Sequence, residues 1–105
     1  RACRELLAHI HARLPAPIHP AELAARLGLS HDYATRLIRA SFGCPPRRLI
    51  LRERLRAAAE DLAGSTLPVG RIARRWGFDD QRYFARQVRR ELGRSPRELR
   101  GPRPD

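Results

Sequence analysis

Two short segments of the chain place polar and charged side chains at the spacing of one helix face, in a pattern that suits contact with nucleic acid. In residues 31–42 this face holds His31, Asp32, Thr35, Arg36 and Arg39. In residues 81–92 the corresponding residues are Gln81, Arg82, Ala85, Arg86 and Arg89. Guanidinium, amide, hydroxyl and carboxylate groups can form hydrogen bonds with base edges in the major groove of DNA. Both segments therefore predict a helix that can enter that groove.

The position of each residue along its helix predicts its role. The N-terminal part of such a helix lies deepest in the groove, so we expect base contacts from His31, Asp32, Thr35, Arg36, Gln81, Arg82 and Arg86. Arg36 and Arg86 suit bidentate contacts with guanine, and Gln81 suits adenine or a neighbouring acceptor. Thr35 can touch a thymine methyl group, and Asp32 can accept from cytosine. We expect phosphate contacts from Ser30, Arg39, Arg89 and Arg90.

Each of these residue types also has a plain structural explanation. All 22 basic residues are arginines, so an outward arginine can be simply a solvated surface residue. Asp32 can stabilise the start of its helix as an acid in the first turn. The aromatic residues Phe42, Trp76, Phe78 and Phe84 fall on the apolar faces, where core packing explains them better than stacking on bases.

The overall composition indicates a polyanionic partner. The 22 basic residues stand against 11 acidic ones, with a net charge of +11 and a pI near 11.6. Nucleic acid is the leading partner of such a chain, and an anionic membrane surface is the alternative. No apolar run approaches the roughly 20 residues of a membrane span, and no signal peptide is visible, so we expect no membrane association and a cytoplasmic, nucleoid-associated protein of bacterial origin.

The cysteines and histidines do not form a metal-binding pattern. Cys3 and Cys44 are far apart, and no histidine lies near a cysteine pair, so we expect neither a metal nor another cofactor. No nucleophile elbow or phosphate-binding loop occurs, and we expect no enzymatic activity. Glu53, Glu60 and Asp61 are interpreted as solvated helix surface. Because the chain begins at Arg1 and contains no Met, we expect it to be a piece of a longer protein.

Glycine, proline and capping residues predict an all-α fold with about seven helices and no strands. The expected helices cover about 1–13, 20–26, 31–42, 46–63, 69–76 and 81–92, with a short last helix after Ser95. Asp79 or Asp80 can cap the sixth helix. In the 46–63 helix, Leu51, Leu55, Ala58 and Leu62 form the predicted buried stripe. The predicted organisation is a first helix-turn-helix subdomain (1–45), a linker helix (46–63), a second such subdomain (64–100) and a disordered tail (101–105).

The chain contains an internal repeat that supports this organisation. Residues 23–28 match residues 72–77 at an offset of 49, and beyond the turn the offset becomes 50. The matched pairs after the turn are Tyr33/Tyr83, Arg36/Arg86, Ile38/Val88, Arg39/Arg89, Gly43/Gly93 and Pro46/Pro96. A small helix, a glycine turn and a longer helix, present twice, predict two helix-turn-helix motifs.

These residues resemble the DNA-binding domain of the AraC/XylS family of transcription regulators over about residues 18–99. The stretch from Ile72 to Pro96 is similar to the family's second motif, I-A-x3-G-F-x-D-x-S-Y-F-x-R-x-F-K-K-x2-G-x-S-P. Arg82 replaces a small serine of that pattern, Arg71 stands where an acid is common, and Val88 replaces phenylalanine. The resemblance implies sequence-specific binding of double-stranded DNA, a sensor or dimerisation domain on the N-terminal side, and activation through RNA polymerase.

The spacing of the two expected recognition helices predicts how they meet DNA. A linker helix of about 18 residues is about 27 Å long at 1.5 Å per residue, somewhat less than the about 34 Å between successive major-groove faces. Either the DNA bends toward the protein or only one motif inserts fully. With both inserted, a monomer reads an asymmetric site across two adjacent grooves. The alternative function is non-specific binding of RNA, DNA or anionic lipid.

Overall fold

The computed structural model of the chain describes residues 2–101 and confirms the all-α class, with no strand in that range. Its helices are α1 (Ala2–Arg13), α2 (Pro20–Leu27), α3 (His31–Phe42), α4 (Pro46–Gly64), α5 (Val69–Arg75), α6 (Gln81–Leu92) and α7 (Pro96–Arg100). None of these helices is both long and apolar enough to span a membrane. Of the predicted disordered tail, residues 102–105 lie outside the described part of the chain.

The helices begin at the capping residues that the sequence predicts. The Ser30 hydroxyl accepts a hydrogen bond from the Tyr33 N–H (3.2 Å) at the start of α3. Of the two candidates for α6, Asp80 is the cap: its Oδ1 accepts from the backbone N–H groups of Arg82 (2.8 Å) and Tyr83 (3.1 Å). Ser95 and Glu98 form a capping box at α7. These bonds satisfy N–H groups that have no partner inside the helix.

The chain contacts divide the molecule into two compact units whose boundary lies between Glu53 and Arg54, inside α4. The first unit contains α1, α2, α3 and the beginning of α4, around a core of Leu6, Ile10, Leu23, Ile38, Leu49 and Ile50. The second contains the rest of α4 with α5, α6 and α7, and buries Leu55, Ala58, Leu62, Ile72, Ala73, Phe78, Phe84 and Val88. The predicted division into subdomain, linker helix and subdomain stays a prediction.

The buried face of α4 changes along its length. Leu55, Ala58 and Leu62 are buried as predicted, but Leu51 is only half-buried, while Leu49 and Ile50 are buried. The first part of the helix packs into the core of the first unit and the later part into the core of the second. A single repeating stripe therefore describes only the later part.

Two of the carboxylates interpreted as solvated surface are instead buried (Glu53) or half-buried (Asp61). Glu53 is 5% exposed, and its Oε1 lies 2.8 Å from Nε2 of His11. Asp61 Oδ2 accepts hydrogen bonds from the Trp76 indole N–H (3.0 Å) and the Arg75 guanidinium (2.8 Å). The Trp76 indole and then Arg75 hold the pKa of Asp61 below its usual range. The sequence interpretation was wrong for these two residues because their partners are distant in the chain, whereas Glu60 is exposed as expected.

Candidate nucleic-acid interface

Helices α3 and α6 bury and expose equivalent positions. Ala34 and Ile38 are buried in α3, and their counterparts Phe84 and Val88 are buried in α6. From position 30 to 40 the order of exposed, half-buried and buried residues is identical to that from 80 to 90. The two helices therefore each pack one stripe into their own unit and leave the opposite stripe in contact with solvent.

A tight turn holds α3 in place within the first unit. Gly28 ends α2 with a φ of +68°, a conformation that residues with a β-carbon rarely adopt. The Leu29 N–H then donates to the Ala24 carbonyl (3.0 Å), which returns the chain toward α2. Ala24 is 6% exposed and lies on the buried side of α2, which packs against α3. A small side chain at this position allows the close approach of two helices.

The second unit builds the same turn with larger apolar residues. Gly77 has a φ of +92°, and the Phe78 N–H donates to the Ala73 carbonyl (2.9 Å). The Phe78 ring lies 5.0 Å from the Phe84 ring, and both side chains are buried. The assignment of Phe78 and Phe84 to the core is thus confirmed. Phe42 is half-buried and packs against the core of the first unit, and Trp76 is half-buried with its indole N–H donating to Asp61.

The polar residues of the α3 face lie together on one surface of the first unit. His31, Asp32, Arg36 and Arg39 are exposed, and Thr35 is half-buried. The Thr35 hydroxyl donates to the His31 carbonyl (2.9 Å), which fixes its side-chain rotamer. Ser30 is exposed as well, and its hydroxyl has a hydrogen of its own to donate besides accepting from the Tyr33 N–H.

Sequence reasoning missed a contact on this face. The Arg36 guanidinium lies over the ring of Tyr33 at 5.7 Å from the ring centre, and Tyr33 is 54% exposed. Residues three apart are neighbours on a helix surface, so the spacing of the two residues could have indicated it. The contact orients the guanidinium through a cation–π interaction.

The α6 face is more strongly basic than the α3 face. All five of its candidate residues are exposed, namely Gln81, Arg82, Arg86, Arg89 and Arg90. Helix α6 carries four arginines and one glutamate, whereas α3 carries two arginines and one aspartate. Only Arg89 among the five has an ion pair that the structure resolves, with Glu98 Oε1 at 3.5 Å.

The acidic cap beside this basic face is stabilised in its ionised form. The N–H groups of Tyr83 and Arg82 hold the pKa of Asp80 below its usual range, and the positive charges of Arg86 and Arg82 add to the effect. A carboxylate at the N-terminus of a helix also compensates the partial positive charge there. The exposed candidate residues of the first unit therefore lie on α3 or at its cap, and those of the second unit lie on α6.

Comparison with known proteins places this arrangement among DNA-binding regulators. The Helix-turn-helix domain family matches residues 23–101. The transcriptional activator RhaS of Klebsiella pneumoniae (strain 342) is 35% identical over 96 residues, which cover 91% of this chain and 34% of the relative. The chain thus spans about a third of the length of such relatives. They are transcriptional regulators, in agreement with the expectation that the chain is not an enzyme.

Two solved structures share the fold and some of the sequence. A probable AraC family transcriptional regulator from Rhodopseudomonas palustris CGA009 superimposes with a TM-score of 0.80 and 29% identity, over 94% of each chain. The DNA-binding domain of the global transcriptional factor AdpA, solved in complex with a target DNA, has a TM-score of 0.74 and 29% identity. That match covers 91% of this chain and 90% of the other.

Proposed function

Because the chain belongs to the AraC-type family of helix-turn-helix DNA-binding domains of transcriptional regulators, we propose that it reads a specific double-stranded DNA sequence with the exposed faces of α3 and α6. One observation carries the proposal: the two helices expose equivalent positions, and these positions hold varied polar groups rather than positive charge alone. A non-specific polyanion binder needs no such variety.

We assign base contacts to the early exposed residues of each helix. In α3 these are His31, Asp32, Thr35 and Arg36, and in α6 they are Gln81, Arg82 and Arg86. Arg36 and Arg86 occupy equivalent positions, and a guanidinium can donate two parallel hydrogen bonds to O6 and N7 of guanine. The Tyr33 ring restricts the orientations of the Arg36 guanidinium, which favours a defined contact.

We assign phosphate contacts to Ser30, Arg39, Arg89 and Arg90. The three arginines are exposed at later positions of their helices, and Ser30 is exposed at the cap of α3. Contacts of this kind fix the register of a protein on the duplex but do not distinguish sequences. Arg89 would exchange its 3.5 Å pairing with Glu98 for a phosphate.

We further propose that α3 and α6 enter adjacent major grooves, so that one chain reads an asymmetric site. The occurrence of the same motif twice in the chain supports this arrangement. A nuclease footprint of the chain bound to DNA tests this arrangement. Two inserted helices protect two consecutive major-groove faces, about 34 Å apart along the axis of the DNA duplex. Protection of a single groove face contradicts the two-helix arrangement.

The role of the whole protein follows from its relatives and is a proposal as well. The name of RhaS describes an activator, and this chain corresponds to about a third of that protein. We propose that a regulatory or dimerisation domain accompanies the chain on its N-terminal side, that RNA polymerase is a partner, and that the protein acts in the bacterial cytoplasm.

The test begins with a duplex selected by the chain from a random DNA pool. Replacement of Arg86 by Ala should cost about 1–3 kcal/mol of binding free energy on this duplex and relax the preference at one base pair. The matched control is Arg90→Ala in the same helix. That variant should weaken binding to all duplexes by a similar factor. It should also reduce by about 1 the slope of the logarithm of the binding constant against the logarithm of the salt concentration.

Two outcomes would redirect the proposal. If Arg86→Ala weakens binding equally on every duplex, Arg86 is a phosphate contact. If the wild-type chain loses all sequence preference against random competitor DNA at about 0.15 M salt, the non-specific polyanion function replaces the specific one.

A further inference from the structure

The side chain of Gln81 lies directly over Gly70, the second residue of α5. A β-carbon at position 70 would stand 2.7 Å from Gln81 Oε1 and 3.6 Å from Gln81 Cδ. Real β-carbons essentially never lie within 3.0 Å of a non-bonded heavy atom from elsewhere in the chain. The observed position of the Gln81 amide therefore requires glycine at this point of α5.

No backbone requirement explains this glycine. Gly70 lies inside a helix and is absent from the glycines with positive φ, which are Gly28, Gly43, Gly77, Gly93 and Gly101. Glycine is less favourable than alanine in a helix because it loses more backbone freedom on folding. The feature that distinguishes this position is the contact with Gln81.

The Gln81 amide has room to move if this contact is removed. Gly70 and Gln81 line an open groove of about 620 Å³ in the second unit, together with Pro68, Val69, Arg97, Arg100 and Gly101. Part of its wall is fixed, because the Arg100 guanidinium donates to the carbonyls of Leu62 and Leu67. A methyl group at position 70 would displace the amide within this space rather than break the packing of the unit.

The first unit differs at both positions of this pair. Counting by the offsets of the internal repeat, the counterpart of Gly70 is Ala21 and the counterpart of Gln81 is His31. The α2 helix thus carries a β-carbon where α5 has none, and a different side chain begins the helix that follows. The first unit therefore has no glycine and glutamine at the positions of Gly70 and Gln81.

We propose that Gly70 is a specificity-determining residue that does not itself touch DNA. By leaving space for the Gln81 amide against α5, it sets the position from which that amide meets a base pair. This inference rests on the proposed function, because it assumes that Gln81 reads a base. Gly70 acts through Gln81, so it is a positioning residue.

A double-mutant cycle tests the proposal on DNA. The variants are Gly70→Ala, Gln81→Ala and the double variant, measured on duplexes that differ at one base pair at a time. Gly70→Ala should change the affinity ratio by about two- to tenfold at the base pair that Gln81→Ala also affects. In the Gln81→Ala background the same change should have no further effect. Ala21→Gly in the first unit is the matched control and should leave this base pair's ratio unchanged.

A second measurement needs no DNA. In the free chain the side-chain amide resonances of Gln81 should shift in Gly70→Ala, while the melting temperature stays the same or rises. Unchanged resonances, or a Gly70→Ala effect that persists in the Gln81→Ala background, would overturn the proposal. If the wild-type chain shows no sequence preference, the proposed function fails, and this inference fails with it even when the resonances shift.

Discussion

Phe84 is the residue on which the second unit depends most clearly, and its replacement by Ala provides a strong test of the packing. The side chain is fully buried, and its ring lies 5.0 Å from the ring of Phe78. Its counterpart in the first unit is Ala34. The substitution therefore gives α6 the residue that α3 already has, but in a core that is filled by two aromatic rings.

The expected loss follows from this environment. Full burial of a side chain of this size contributes about 1.5–3 kcal/mol, and the unfilled cavity with the lost ring pair adds about 1–2 kcal/mol. Phe84→Ala should therefore cost about 2.5–5 kcal/mol of unfolding free energy. Folded proteins have a free energy of unfolding of about 0.05–0.15 kcal/mol per residue, which gives about 2.5–7.5 kcal/mol for a unit of about fifty residues. The substitution removes most of it.

The chain contains its own probe for this measurement. Trp76, the single tryptophan, belongs to the second unit, so its fluorescence in urea follows the unit that contains Phe84. With a slope of about 1 kcal/mol per molar urea for a small unit, the unfolding midpoint should fall by about 2.5 M or more. Arg90→Ala, an exposed change in the same helix, should stay within about 0.5 kcal/mol of the wild type. A midpoint shift below about 1 M for Phe84→Ala would refute the packing argument.

Two further changes test other features of the fold. The pKa of Asp61 is lower in the folded chain than in the unfolded chain, so the ionised carboxylate stabilises the fold. This stabilisation is present at pH values above the ordinary aspartate pKa of about 3.9. It is lost as the pH falls through the lowered pKa of the folded chain. Asp61→Asn should reduce this acid dependence, measured as the urea midpoint of Trp76 fluorescence against pH; an unchanged dependence would contradict the assignment. Gly28→Ala should lower the free energy of unfolding by about 1–2 kcal/mol because Gly28 has a positive φ. Gly64→Ala should leave the free energy of unfolding unchanged or raise it by up to about 1 kcal/mol. Gly64 lies in a helix, and no atom stands near the methyl group that the substitution adds. Equal shifts of melting temperature in the two glycine variants would show that backbone conformation does not explain the difference.

The helix boundaries were predictable because they depend on local chemistry. Ser30, Gly28 and Ser95 act through backbone groups within a few residues of their own positions, and such signals are visible in a sequence. The choice between Asp79 and Asp80 was not, since both stand next to α6 and only the geometry of the turn decides which carboxylate reaches the free N–H groups.

Contacts between distant residues were not predictable in the same way. His11 and Glu53 are 42 residues apart, and no periodic pattern relates them, so Glu53 was assigned to the surface. Leu51 was assigned to the core because one helical period was applied to a helix that serves two cores. In the candidate interface, the exposed positions could be predicted from the buried stripe, but the Gln81–Gly70 contact joins two helices and required the structure.

The shared burial pattern of α3 and α6 has a consequence for which substitutions the chain can tolerate. Substitutions at the outward positions should leave the fold intact, because the inward positions that stabilise each unit are a separate set of residues. The two helices use this freedom differently in the present chain: α6 carries four arginines, whereas α3 carries two arginines together with an acid, a hydroxyl and an imidazole.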